Sequence, residues 1–171
     1  MEKLTPNELA FIALANEYCH AMECAHECES RDQFVAQMLK LLPRLYITVG
    51  DIEDDSYSEE FIDSALEEDV YDLVRERVAM IMAEEDIYLE VFMEDMKYSE
   101  SPILSTISEN LADIYQELKN FVMAYKNATN EGLMMNALAE VKDEFQFSWG
   151  QKLVNVQRAL HEVRYSEEDE Y

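Results

Sequence analysis

The sequence predicts an all-α protein, a bundle of five to six helices with a long C-terminal helix. Three observations carry that expectation. Only three Gly and three Pro occur in 171 residues, too few for the many tight reversals of an all-β fold. Hydrophobic residues make up 49% of the chain, enough to build a core. These residues return every third or fourth position through five stretches, the spacing that lines one face of an α-helix. The length suits one domain, so residues 1–171 are expected to share a single interior.

A first helix is expected over about 6–29. Thr5, Pro6 and Glu8 form a capping box with Pro at the first helical position, and Phe11, Leu14, Ala15, Tyr18, Met22 and Ala25 make an inward stripe. Ser30 caps a second helix with Phe34, Met38, Leu41, Leu42, Leu45 and Val49 inward. Pro43 inside it lacks an N–H and is expected to kink it. The pattern then breaks: eleven acids and no basic residue lie between Arg44 and Arg75. Residues 50–66 therefore read as an acidic, self-repelling, flexible connection.

Val70, Leu73, Val74, Val78 and Ile81 share one face of a third helix. A short helical piece is expected through Tyr88, Val91 and Phe92, and 97–102 read as a loop. The fourth helix starts near 105–108 and turns Ile107, Leu111, Ile114, Leu118, Phe121, Val122 and Tyr125 inward. Asn130 caps a fifth. Its inward set of Met134, Leu138, Val141, Phe145, Trp149, Leu153, Val156, Leu160 and Val163 keeps the helical period to the end of the stretch. Straight, that helix would run roughly 50 Å, longer than its neighbours, which predicts a bend near Gly150 or an overhang. Residues 166–171 form an acidic tail expected to fray. No repeat of solenoid length is present.

The 38 Asp plus Glu against 13 Lys plus Arg leave a formal charge of -25. Direct nucleic-acid binding needs a basic stripe and is disfavoured, and an anionic membrane surface is repelled by the same field. The partner this charge suits is a basic protein surface, although solubility alone would also account for it. Residues 1–9 carry no long apolar run and no basic flank, so no signal peptide or membrane span is expected. Cys19, Cys24 and Cys28 fall in one helical stretch, an odd set that suits reduced thiols in a cytoplasm.

Residues 17–28 hold the one dense collection of metal-type ligands, including two Glu-x-x-His pairs. With the Phe11/Tyr18/Met22 stripe at zero on a helical wheel, His20 falls roughly 180° away and Glu17 roughly 240°. Both face water, and His161 has Arg158 where a matching pair needs Glu. His20 and Cys28 lie roughly 12 Å apart along the axis, too far for one ion. His20 with Cys24 is left as a weak surface metal pair, and packing thiols beside solvated histidines explain the same residues. No cofactor is expected. The chain has no Gly-x-Ser-x-Gly elbow, and its glycines, Gly50, Gly132 and Gly150, are isolated, so nothing points to nucleophilic or phosphate chemistry. The aromatic residues Tyr88, Phe92, Phe145, Phe147 and Trp149 keep helical spacing and read as core.

Three segments taken together resemble a bacterial family of unknown function, DUF5063. They are Tyr88-Leu89-Glu90-Val91-Phe92, then Ser108-Glu109-Asn110-Leu111-Ala112-Asp113-Ile114-Tyr115, then Phe145-Gln146-Phe147-Ser148-Trp149-Gly150 followed by Arg158-Ala159-Leu160. The resemblance implies a helical bundle in a bacterial cytoplasm and no established activity, with a hint of nucleic-acid-processing partners. Asp113 and Trp149 match the family pattern where a site could lie, and with Tyr88 they are the binding candidates. Asp113 also falls off the Leu111/Ile114/Leu118 stripe, which argues against simple core packing. The leading expectation is a non-catalytic acidic binding or adaptor protein. The alternative is a small-molecule binder or enzyme with an inter-helical pocket, with or without a metal.

Overall fold

The computed structural model describes residues 4–53, 66–90 and 103–166. Its helices are α1 (Pro6–Glu23), α2 (Arg31–Gly50), α3 (Glu68–Met82), α4 (Ile107–Asn127), α5 (Glu131–Glu144) and α6 (Gly150–Tyr165). Two short strands, β1 (Ile87–Leu89) and β2 (Leu104–Thr106), pair antiparallel with Tyr88 opposite Ser105. The fold is the expected helical bundle with a long C-terminal rod.

Four of these helices start on a capping side chain, three of which, Thr5, Ser30 and Asn130, the sequence marks. Thr5 accepts from the Glu8 N–H at 3.1 Å, Ser30 from Gln33 at 3.2 Å, Thr106 from Glu109 at 3.2 Å and Asn130 from Leu133 at 2.9 Å. Each satisfies one otherwise orphaned donor, worth about 1 kcal/mol. Inward stripes of α1, α2 and α4 are buried as their periodicity requires, and buried residues from every helix join one hydrophobic cluster. Helix α4 is the hub, packing against α1, α3, α5 and α6, while α2 closes the other side on α1 and α6.

Several elements differ from the sequence reading. Helix α1 stops at Glu23, not near residue 29, because Cys24 leaves the helical region at φ -105° and ψ 16°. A single 3-10 turn, Ala25–Glu27, keeps Ala25 buried while the chain turns toward the Ser30 cap. Pro43 sits inside α2, and the helix runs on past it to Gly50. On α3 the buried stripe is Val74, Val78 and Met82, whereas Val70 and Leu73 face solvent. Packing mainly against one neighbour, α4, α3 needs only a narrow stripe.

The short helical piece expected at Tyr88 is strand β1. Ala83, in the left-handed region at φ 49°, ends α3, and a 3-10 turn over Ala83–Asp86 delivers an extended chain. There exposure alternates with period two, the pattern of a strand with one packed face. Val91, Phe92, the loop at 97–102, most of the acidic connection at 50–66 and all but the first residue of the tail at 166–171 lie outside the described residues.

Helices α5 and α6 form one rod interrupted by a π-helical turn, Phe145–Trp149, at the place where a bend was expected. The Gly150 N–H bonds the Phe145 carbonyl in the wide turn. A Cβ on Gly150 would lie 2.5 Å from that oxygen and 2.9 Å from Phe145 Cε2, so glycine is required by close approach here.

Candidate functional site

Asp113 is an inter-helical clamp. It lies on the side of α4 between α3 and α6, where Tyr71 OH donates to Oδ1 at 2.5 Å and Lys152 Nζ donates to Oδ2 at 2.9 Å. Burial, and then the bond to this carboxylate, push the Tyr71 phenol well above its ordinary range. Both Asp113 oxygens are occupied. On the opposite side of α4, Glu23 Oε2 accepts from Tyr115 OH at 2.9 Å and Lys119 Nζ at 3.0 Å. Glu23 thus ties α1 to α4.

Tyr88, on β1, accepts a short hydrogen bond from Asn110 Nδ2 on α4, and burial pushes its phenol up to about 12. Beside it the buried Asp86 carboxylate receives the Ser108 N–H and Oγ–H, each at 2.7 Å. Arg158 of α6 donates to the Leu89 carbonyl at 2.5 Å. These bonds seat the strand pair on the bundle; Tyr88 is a docking residue of that pair.

Trp149 is wholly buried. Its Nε1 donates to the Val141 carbonyl at 3.0 Å and its ring meets Phe145 edge-on at 4.7 Å. A ligand would reach it only through an opened bundle. Phe147 departs from the core reading: two positions from both Phe145 and Trp149 it points away from their inward face, and 81% of it is exposed.

His20 and Cys24 do come together, with Sγ 3.8 Å from Nε2 and 3.9 Å from Nδ1. They line a hollow of about 490 Å³ with Glu27, Cys28, Gln37 and Lys40. No group of three or more His, Cys, Asp or Glu able to hold a metal occurs among the described residues, so this pair offers two donors. Cys19 is buried, which pushes its thiol up to about 12.

A feature the sequence reading missed is the distribution of charge. Acids cover the α3–α4–α5 side: Glu68, Asp69, Glu76, Glu109, Glu140, Asp143 and Glu144 are all exposed. Glu117 sits half-buried within that side, and its carboxyl is raised by burial and then by Glu144, Glu140 and Asp113, against Lys152. Residues 33–50 and 145–161 contain no acid at all, although 38 of 171 residues are acidic. These two runs are most of α2 and of the π turn with α6, which pack on each other. Between them lies a groove of about 470 Å³ lined by Leu39, Pro43, Tyr46, Ile47, Val154 and Arg158, among others. An adjoining hollow of about 390 Å³ shares Tyr46 and Val154 and reaches Phe145 and Gly150. The gap in acidic residues is the signal that would have located this face.

No helix among the described residues is long and apolar enough to cross a membrane. What these features define is a predominantly helical protein in which, among the described residues, Asp113, Glu23 and Asp86 tie neighbouring elements together. The family model described as "Domain of unknown function (DUF5063)" matches residues 2–166, and the chain belongs to that family. It is similar to the crystal structure of protein BF1032 from Bacteroides fragilis, with 33% identity over 97% of each chain and a TM-score of 0.82. No curated protein matches the chain.

Proposed function

We propose that this protein is a non-catalytic acidic adaptor whose α3–α4–α5 side docks on a basic protein surface, such as that of a nucleic-acid-processing enzyme in a bacterial cytoplasm. The observation that carries this reading is the crowding around Glu117. Its carboxyl is held above the ordinary range by burial and by three neighbouring acids, with Lys152 the cation opposing them. A carboxylate in that setting gains when a cationic partner arrives, since added positive charge relieves both the field and the protonation penalty. The absence of a catalytic motif in the sequence and the full occupation of Asp113 by Tyr71 and Lys152 add support.

The test is a pull-down from bacterial lysate at low and high salt, repeated with Glu140→Lys/Glu144→Lys. A partner of basic isoelectric point, retained at low salt, released by screening and lost in the double variant, is the expected result. Retention of nothing at either salt, or of a partner indifferent to both changes, refutes the reading. The pocket alternative draws less support, because the hollows described above are lined by neither Asp113 nor Trp149.

A further inference from the structure

The acid-free groove between α2 and α6 has no place in the reading above, which uses the α3–α4–α5 side. Its walls are apolar and open: Ile47 is 62% exposed, Val154 51% and Tyr46 45%. Beneath them Tyr46 stacks edge-on against Phe145 at 5.1 Å, and Phe145 against Trp149 at 4.7 Å. The floor is therefore a rigid aromatic ladder anchored in the core.

Among the described residues, the lining of the groove contains no acid. Arg158 and His161 stand on the α6 wall. Lys40 and Arg44 are exposed on α2, within about 60° of Ile47 on its side away from Tyr46, and Lys40 also lines the hollow beside His20. Among the described residues, Glu162 beside the groove pairs with Arg158 at 3.0 Å, Glu144 precedes Phe145 of the adjoining hollow, and Asp32 and Asp51 stand at the two ends of α2. On a chain of charge -25, such a patch is where an acidic ligand meets least repulsion. The groove and its adjoining hollow follow α6 from Gly150 to His161, roughly 17 Å at the α-helical rise. That length accommodates about three turns of a docked helix.

We infer that this groove binds an amphipathic helix of a partner protein, its apolar stripe on Tyr46, Ile47 and Val154 and an acidic flank toward Arg44 and Lys40. The occupant differs in sign from the basic partner of the acidic side. The protein would therefore hold two chemically distinct partners on two different faces.

A displayed library of amphipathic helical peptides, randomised in its apolar and flanking positions, is selected on the intact protein and counter-selected on Ile47→Glu. Enriched peptides should carry an apolar stripe with Asp or Glu flanks. They should lose affinity about tenfold or more in Ile47→Glu, Val154→Glu and Arg44→Glu, the size expected of a central contact. Because these side chains are exposed, thermal melts of the variants should match the parent. Glu140→Lys/Glu144→Lys should leave peptide binding unchanged, which separates this proposal from the acidic-side reading. Failure to enrich any groove-dependent peptide, or enrichment of basic flanks, overturns it. Sedimentation of the free protein should show no self-association that Ile47→Glu abolishes; such self-association would assign the groove to a second copy and also overturn it.

Discussion

The Tyr71 phenol donates to Asp113 Oδ1 across 2.5 Å while Lys152 holds the other oxygen at 2.9 Å, so one carboxylate joins three helices. Asp113→Ala should cost about 2 kcal/mol, since it removes two charge-assisted bonds and strands a half-buried Tyr hydroxyl. Tyr71→Phe should cost about 1 kcal/mol, and the two changes together less than their sum. Urea denaturation of the single and double variants checks this, and strict additivity would separate the residues energetically.

Gly150→Ala should destabilise by about 1–3 kcal/mol, the usual range for overpacking. The added Cβ would lie 2.5 Å from a backbone oxygen, and that oxygen is held by the π-turn hydrogen bond. Gly50→Ala is the control, as nothing lies within 4 Å of its Cβ position. Thermal melts of the pair should diverge by several degrees, with Gly50→Ala at or above the parent because glycine is the poorer helix former.

Glu117→Gln should stabilise the protein at neutral pH and have no effect in acid. The fold raises this carboxyl above its ordinary 4.5, so folding penalises its charged form. Above the folded-state value the penalty is fully present. It fades as pH falls through that value and is gone below the unfolded one, the reverse of an ion-paired acid. Melting temperatures of parent and variant should thus separate at neutral pH and converge as the buffer approaches the ordinary Glu range. A constant offset at all pH values would contradict the mechanism.

Thiol chemistry should follow burial. At about pH 8, where an ordinary Cys is partly thiolate, iodoacetamide should modify Cys24 and Cys28 and leave Cys19 intact. Cys19 is buried and raised to about 12. Denaturant should expose it. Mass spectrometry of the alkylated native protein reads the outcome, and early modification of Cys19 would show that α1 opens.

Legibility followed periodicity. The stripes of α1, α2 and α4 and the caps at Thr5, Ser30 and Asn130 were readable because each is set by neighbours a turn away. Strand β1 was not, because three residues cannot display a period, and its pairing depends on Ser105, seventeen positions on. The partners of Asp113 were equally hidden: an off-stripe acid announces an interface, and only the packing of α3 and α6 supplies Tyr71 and Lys152. Trp149 reads from sequence both as core and as a binding candidate, since core and binding aromatics share the same spacing, and the fold buries it. The π turn left a faint trace. Val141, Phe145, Trp149 and Leu153 advance in three successive steps of four, wider than the 3.6 residues of an α-helical turn.

That widening means the rod carries one residue more than a regular helix would need between Val141 and Leu153. A chain shortened by one position within 145–149 would lose the bulge and leave both halves seated, α5 on α4 and α6 on α2. The same deletion anywhere else along the rod would swing every following side chain by about 100°, turning Leu153, Val156 and Leu160 out of their contacts. The rod thus has a single point that tolerates a change of length, and it lies against the groove.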